Sequence, residues 1–197
     1  SANSGANDNI AIGYYALKLN TTGTSNIGIG ASALGANTTG TQNTALGAFS
    51  LDANTTGSHN TAIGANALSA NTASGGTAVG EDALLTNTTG DQNTAMGQSA
   101  LRLNTTGSYQ VALGANALAA NTTGSGSVAI GYEALTASTT GGEQVAIGYR
   151  ALKSTTTNTD NVAIGYEALE ACTSGKNVAV GWNTLKADSG AVYCTAV

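Results

Sequence analysis

The chain has 197 residues, and 9% of them are charged, well below the roughly 25% of an ordinary globular domain. With no proline, one Phe and one Trp it does not read as a conventional globular enzyme, and Asn, Thr, Ser and Gly carry its solubility. The net charge of −5, with Lys18, Arg102, Arg150, Lys153, Lys176 and Lys186 in no stripe, argues against a nucleic-acid partner. No stretch approaches the roughly 18 apolar residues of a membrane span.

One register runs from end to end. Ala2-Asn3 falls on positions 11 and 12 of a unit, and full units then start at Asn9, Asn26, Asn43, Asn60, Gly76, Asn93, Gln110, Ser127, Gln144, Asn161 and Asn177. These eleven units have 17 residues each, apart from 60–75 and 161–176, which have 16, and the open-ended last one. Position 5 is always Gly, position 9 is always Leu, and position 3 is Ala except at Gly28. Position 4 is Ile, Leu, Val or Met throughout. With no linker and no change of texture, 1–197 is read as a single domain. Cys194-Thr-Ala-Val197 matches positions 1 to 4 of a twelfth unit, so the sequence begins and ends inside a repeat.

Within each unit the first five residues alternate, which predicts a short strand. The following x-Ala-Leu-x-x segment is either a second short strand or half a helical turn, and the strand is favoured because 17 residues leave no room for a strand, a helix and two connections. Asn-Thr-Thr-Gly, at Asn20, Asn37, Asn54, Asn87, Asn104 and Asn121, is turn chemistry. Such units wind into an all-β, parallel β-solenoid of about eleven 17-residue coils, with equivalent positions about 4.8 Å apart. Positions 4 and 9 are expected to form inward columns. Position 1 should form a coil-corner ladder of Asn9, Asn26, Asn43, Asn60, Asn93, Asn161 and Asn177. One Ile and one Leu per coil make a thin core, so further burial against another chain is expected, through the small Ala/Gly side of the strand. A homotrimer is the first expectation, although a dimer or a bundle satisfies the same argument.

Along the same path, each Asn-Thr-Thr is formally an N-glycosylation acceptor, but a periodic polar turn accounts for all of them. The threonines also raise ice binding, a weaker reading because the pattern breaks at Asn71-Thr-Ala-Ser and after Thr140. His59 is the only histidine and sits at a turn position, so a His-based triad or a multi-histidine metal site would have to be completed by another chain. The acidic residues are scattered, with Glu81-Asp82 adjacent, and no catalytic residue, metal ligand or cofactor site emerges. Tyr132, Tyr149, Tyr166 and Trp182 occupy position 6 of successive units and should stack as an aromatic column, for receptor glycans or for subunit packing. Glu133, Arg150, Glu167 and Asn183 lie beside them and suggest ladder pairing. Cys172 and Cys194 could form a disulfide, within the chain or between chains.

Asn-Val-Ala-Ile-Gly at 161–165, Gln-Val-Ala-Ile-Gly at 144–148 and Ser-Val-Ala-Ile-Gly at 127–131 resemble the head repeats of YadA-like trimeric autotransporter adhesins. The Asn-Thr-Ala-x-Gly-x-x-Ala-Leu strings at 43–51 and 60–68 are similar to repeats of phage tail-fibre proteins. The resemblance covers nearly the whole chain and implies a left-handed β-roll, assembled as a trimer, that binds cells or matrix. The unit is longer than the adhesin repeat, and no stalk, anchor or intramolecular chaperone segment is visible in the sequence. The functional expectation is therefore a non-enzymatic rod of a surface adhesin or tail fibre, extracellular or on a virion. Its expected partners are itself and a cell-surface glycan or matrix protein. The alternatives are an extracellular filament that polymerises through its half-repeat ends and, less favoured, an ice-binding protein.

Overall fold

A computed structural model describes residues 6–187, 190 and 192–197, so the expectation for Ala2 and Asn3 lies outside the described residues. The chain is all-β, a solenoid whose coils each contribute one short strand to a single parallel sheet. The strands run in sequence order from β1 (Ile10–Ile12) and β2 (Ile27–Ile29) to β11 (Val178–Val180) and β12 (Thr195–Ala196). The register follows the repeat: Ile10 pairs with Ile27, Thr44 with Thr61 and Val128 with Val145. Across the two 16-residue units it holds as well, Thr61 pairing with Thr77 and Val162 with Val178. The missing residue is absorbed in the polar turn, leaving the strand ladder intact.

The expected second strand does not form. Positions 6 to 11 are a turn, in which positions 7 and 9 take left-handed backbone, as at Tyr15 (φ 62°) and Leu17 (φ 49°). This recurs at Leu34, Leu51, Leu68 and each later position 9 through Leu185. A left-handed non-glycine residue costs about 1–2 kcal/mol, and the geometry of the coil offsets it. The Leu17 N–H donates to the Ala33 carbonyl of the next coil at 3.0 Å, the Leu34 N–H to Ser50 at 3.0 Å, and both Leu34 and its counterpart Leu51 are fully buried. Leucine, branched at Cγ, tolerates this backbone better than a β-branched residue would.

The two faces of the strand are the reverse of the expectation. Ala at position 3 points inward and is fully buried at Ala45, Ala62, Ala78 and onward to Ala179. The aliphatic residue at position 4 points outward, with Leu46 45%, Met96 46% and Ile164 37% exposed. The reason is the width of the coil. A Cβ placed on Gly28, the one glycine at position 3, would lie 3.1 Å from the Ala33 carbonyl oxygen and 3.3 Å from Leu17 Cγ. The interior holds one leucine and two alanines per layer and has no room for an isoleucine. Contact with a second chain through the Ala/Gly side is thereby excluded, because that side is the core.

Two glycine positions keep the coils this close. At position 5, Gly114 has φ 137°, and a Cβ there would meet the Gly131 carbonyl oxygen at 2.5 Å. At position 15, a Cβ on Gly23 would lie 2.4 Å from both Asn20 Oδ1 and the Gly40 carbonyl oxygen.

Candidate functional site

Two asparagine columns run through the interior. The expected one, at position 1, bonds from coil to coil through the backbone: Asn26 N–H donates to Asn9 Oδ1 at 2.8 Å, Asn43 to Asn26 at 3.0 Å, and Asn60 to Asn43 at 3.0 Å. Further along, Gln110 N–H donates to Asn93 Oδ1, Asn177 to Asn161 and Cys194 to Asn177. The amide hydrogens turn across the coil, Asn26 Nδ2 donating to the Gly40 carbonyl at 2.8 Å and Asn43 Nδ2 to Gly57 at 2.8 Å.

The second column is the Asn of Asn-Thr-Thr-Gly itself, which the sequence assigned to a polar turn. It is buried, fully so at Asn37, Asn54, Asn104 and Asn121. Amide bonds to amide along the axis: Asn37 Nδ2 donates to Asn20 Oδ1 at 2.8 Å, Asn54 to Asn37 at 3.0 Å, Asn104 to Asn87 at 2.7 Å and Asn121 to Asn104 at 2.8 Å. Each of these donors also reaches the glycine carbonyl of its own turn, as Asn37 Nδ2 does to Gly40 at 3.0 Å. In the folded chain the acceptor nitrogens of these formal glycosylation sites are therefore enclosed. The signal that pointed here was the Asn at position 12, which recurs in unit 4 (Asn71), where the second Thr does not.

In five of the six Asn-Thr-Thr-Gly turns the first threonine is also committed. Thr21 Oγ1 donates to the Thr38 carbonyl at 2.9 Å, and Thr38, Thr88, Thr105 and Thr122 repeat the bond one coil on. The second threonine, as at Thr39, Thr89 and Thr123, is exposed.

The aromatic column forms as expected. Ring centroids lie 5.5 Å apart for Tyr132–Tyr149, 5.0 Å for Tyr149–Tyr166 and 6.3 Å for Tyr166–Trp182, with interplanar angles of 17°, 8° and 21°. Tyr149 and Tyr166 thus turn both faces to neighbouring rings and present their edges to solvent, a geometry that favours packing over the stacking of a sugar on a ring face. Beside them the charges pair along the axis. Arg150 Nε contacts Glu133 Oε2 at 3.0 Å and Lys153 Nζ the same oxygen at 2.8 Å, while Lys186 bridges Glu167 and Glu170. Lys153, then Tyr132 and Arg150, donate to Glu133 and hold its carboxyl below the usual glutamate range. Lys186 does the same for Glu167, which is 7% exposed.

The two cysteines are free, Cys172 buried at position 12 and Cys194 half-buried at position 1. Asn177 lies between them, its Nδ2 3.6 Å from Cys172 Sγ and its Oδ1 accepting the Cys194 N–H at 2.9 Å, so of the two disulfide readings the one within the chain is not formed. His59, Ser74 and Asp91 border one shallow hollow of about 340 Å³. Ser74 Oγ accepts the Ser58 N–H, and Asp91 Oδ1 accepts the Ser74 N–H, roles that serve the turn rather than a nucleophile. Among the described residues no group of three or more His, Cys, Asp or Glu could hold a metal ion, and no helix is long and apolar enough to cross a membrane.

The outer face of the sheet carries a long run of half-buried and exposed side chains. Position 2 offers Ile27, then Thr44, Thr61, Thr77 and Thr94, then Val at each strand from 111 to 178, and position 4 is aliphatic in every coil. The result is a straight apolar stripe along the rod, bordered toward the C-terminal end by the aromatic column. Comparison of the chain with protein-family models, with curated proteins and with solved structures gives no match, so its function is argued from this geometry.

Proposed function

We propose that the chain is a non-enzymatic, rod-like structural segment of a surface adhesin or phage tail fibre, which spaces or carries receptor contacts and works as an assembly of several copies. The observation that carries this reading is the outward stripe at positions 2 and 4 of the in-register strands, apolar at position 4 in every coil and polar at position 2 only at Thr44, Thr61, Thr77 and Thr94 among β1 to β11. A stripe of this kind is an interaction surface in most folded proteins. Its steps repeat at the strand spacing of about 4.8 Å, so the stripes of two copies match at every coil once they match at one. About 50 Å long and about 10 Å wide, it would remove on the order of 1,000 Å² from water over two partners, the lower bound of a specific interface. A trimer buries such a stripe around an axis. It leaves the turns of positions 6 and 7, where the repeat is most variable, free at the rim to meet a glycan or matrix protein. The setting this implies is extracellular or on a virion.

Light scattering of the purified chain, beside a Leu46→Lys/Met96→Lys variant, tests the proposal. The wild type is expected to run as a stable trimer or other small multimer and the variant as a single chain with unchanged circular dichroism. A wild type that stays monomeric at high concentration would remove the assembly and with it the main support for a fibre segment.

A further inference from the structure

The asparagine column of position 12 ends at Asn121, and units 8, 9 and 10 carry Ser138, Thr155 and Cys172 there. In unit 8 the residue at this position is Ser138, fully buried, where units 6 and 7 have Asn104 and Asn121. Asn104 shows what an asparagine does there: it donates Nδ2 back to Asn87 Oδ1 at 2.7 Å, and its Oδ1 accepts from Asn121 Nδ2 at 2.8 Å and from Gln110 Nε2 at 3.3 Å. Gln110 is the position-1 residue six places after Asn104, and Gln144 stands in the same relation to Ser138. Serine has neither the amide donor nor the reach of the amide oxygen.

Two buried atoms in the adjoining coils are left over. Asn121 Oδ1, whose donor would be the amide at 138, and Gln144 Nε2, for which the oxygen at 138 would be a second acceptor as Asn104 Oδ1 is for Gln110 Nε2 beside the Gly124 carbonyl at 2.7 Å, have no hydrogen-bond partner in the protein. Both belong to fully buried side chains, one in the coil before Ser138 and one in the coil after it. Ser138 Oγ donates to the Gly141 carbonyl at 3.4 Å, which leaves its lone pairs free to accept. An acceptor, a donor and a second acceptor therefore face one layer from which an amide group has been removed. Leaving two such groups bare costs about 1–3 kcal/mol each.

We propose that this layer is a hydration site, in which one water molecule replaces the missing amide. The water donates to Asn121 Oδ1 and to Ser138 Oγ and accepts from Gln144 Nε2. That makes three hydrogen bonds, the usual complement of a buried water. Beside the backbone ladder that joins every coil, Asn121 is then linked to Gln144 through a group that can leave, whereas Asn104 and Asn121 bond directly.

High-resolution crystal structures of the wild type and of Ser138→Asn decide the matter, with Thr123→Ala on the exposed turn as a neighbouring control. The wild type and the control are expected to show one ordered water within hydrogen-bond distance of Asn121 Oδ1, Ser138 Oγ and Gln144 Nε2. Ser138→Asn should lose that water, its new amide bonding Asn121 Oδ1 and Gln144 Nε2 directly. Wild-type density with no solvent between Asn121 and Gln144, or with those two side chains bonded to each other, would overturn the proposal even if the variant fails to fold.

Discussion

Asn104 donates its Nδ2 to Asn87 Oδ1 at 2.7 Å across one coil step, and the same nitrogen reaches the Gly107 carbonyl at 2.9 Å within its own coil. Its Oδ1 is taken by Asn121, so a fully buried amide has both ends in use. Asn104→Ala strands the Asn87 oxygen and removes an acceptor from Asn121 and Gln110, and is expected to cost roughly 2–4 kcal/mol. Asn104→Asp should cost more, because it turns a donor into a second acceptor facing the Asn87 oxygen and the Gly107 carbonyl. Urea unfolding checks both against Thr106→Ala on the exposed turn, where a change within about 0.5 kcal/mol is expected. Equal losses at Asn104 and Thr106 would show that the amide column is not what ties the coils together.

Leu118 is fully buried at φ 51°. Leu118→Ala opens the centre of the coil and should cost about 2–5 kcal/mol. Leu118→Ile is the sharper test: such swaps cost under about 1.5 kcal/mol in ordinary cores, but here Cβ branching meets left-handed backbone. A loss above about 2 kcal/mol is expected by thermal or chemical denaturation. An Ile variant as stable as the wild type would mean that the left-handed turn is not held in solution.

How far these features could be read in advance follows from what periodicity contains. Invariant Gly and Leu at positions 5 and 9 give the coil length and the register, and both are as expected. Alternation gives a strand but carries no sign, because Ala45 and Leu46 are equally regular. What decides which points inward is the width of the coil, fixed by Leu51 and Ala33 and by the close approach of Gly47 to Gly64. The turn at Ala-Leu was missed for a related reason. Local preference assigns left-handed backbone to Gly or Asn, while here burial and the bond from the Leu17 N–H to the next coil impose it on leucine. Asn54 was legible as a turn residue, but the inward direction of its amide depends on the neighbouring coil, which no single repeat contains. The ring column from Tyr132 to Trp182 needed only the register, and it was fully legible.

The ion pairs beside that column give a signed pH dependence. Glu133, held down chiefly by Lys153, and Glu167, held down chiefly by Lys186, have folded values below their unfolded ones. Such carboxyls contribute stability above the unfolded value, and that contribution fades as pH falls through roughly 4 toward the lower folded value. Lys186, raised first by its bond to Glu167, contributes fully below the ordinary lysine range and loses its share as pH rises through its folded value. Melting temperatures across pH should therefore separate the wild type from Glu133→Gln/Glu167→Gln near neutrality and converge in acid, with a smaller gap at high salt. Tyr132, raised first by its bond to Glu133, should ionise at lower pH in the same variant, read from tyrosinate absorbance. A gap that persists in acid would assign the effect to packing.

Glycine is required at some positions of the coil and merely permitted at others, and two neighbours distinguish the cases. Gly131, at position 5, has φ 133°, and a Cβ would lie 2.4 Å from the Gly148 carbonyl oxygen and 2.6 Å from its carbon. The backbone of the next coil cannot retreat without breaking the ladder on both sides of it. Gly126, at position 17, has φ 71°, and a Cβ there would meet Glu143 Cγ at 3.6 Å and Glu143 N at 4.0 Å, both ordinary contacts. Other coils place Asp8, Ser25 and His59 at that position with φ between 57° and 62°. Gly131→Ala is expected to cost more than about 3 kcal/mol, among the large single-site losses. Gly126→Asn, which adds a side chain that accepts left-handed backbone, should be neutral or should stabilise by up to about 1 kcal/mol by narrowing the unfolded ensemble. Denaturant midpoints of the two variants measure the contrast directly. If Gly131→Ala were tolerated as easily as Gly126→Asn, the coils would have to lie further apart than the strand ladder from β1 to β12 allows.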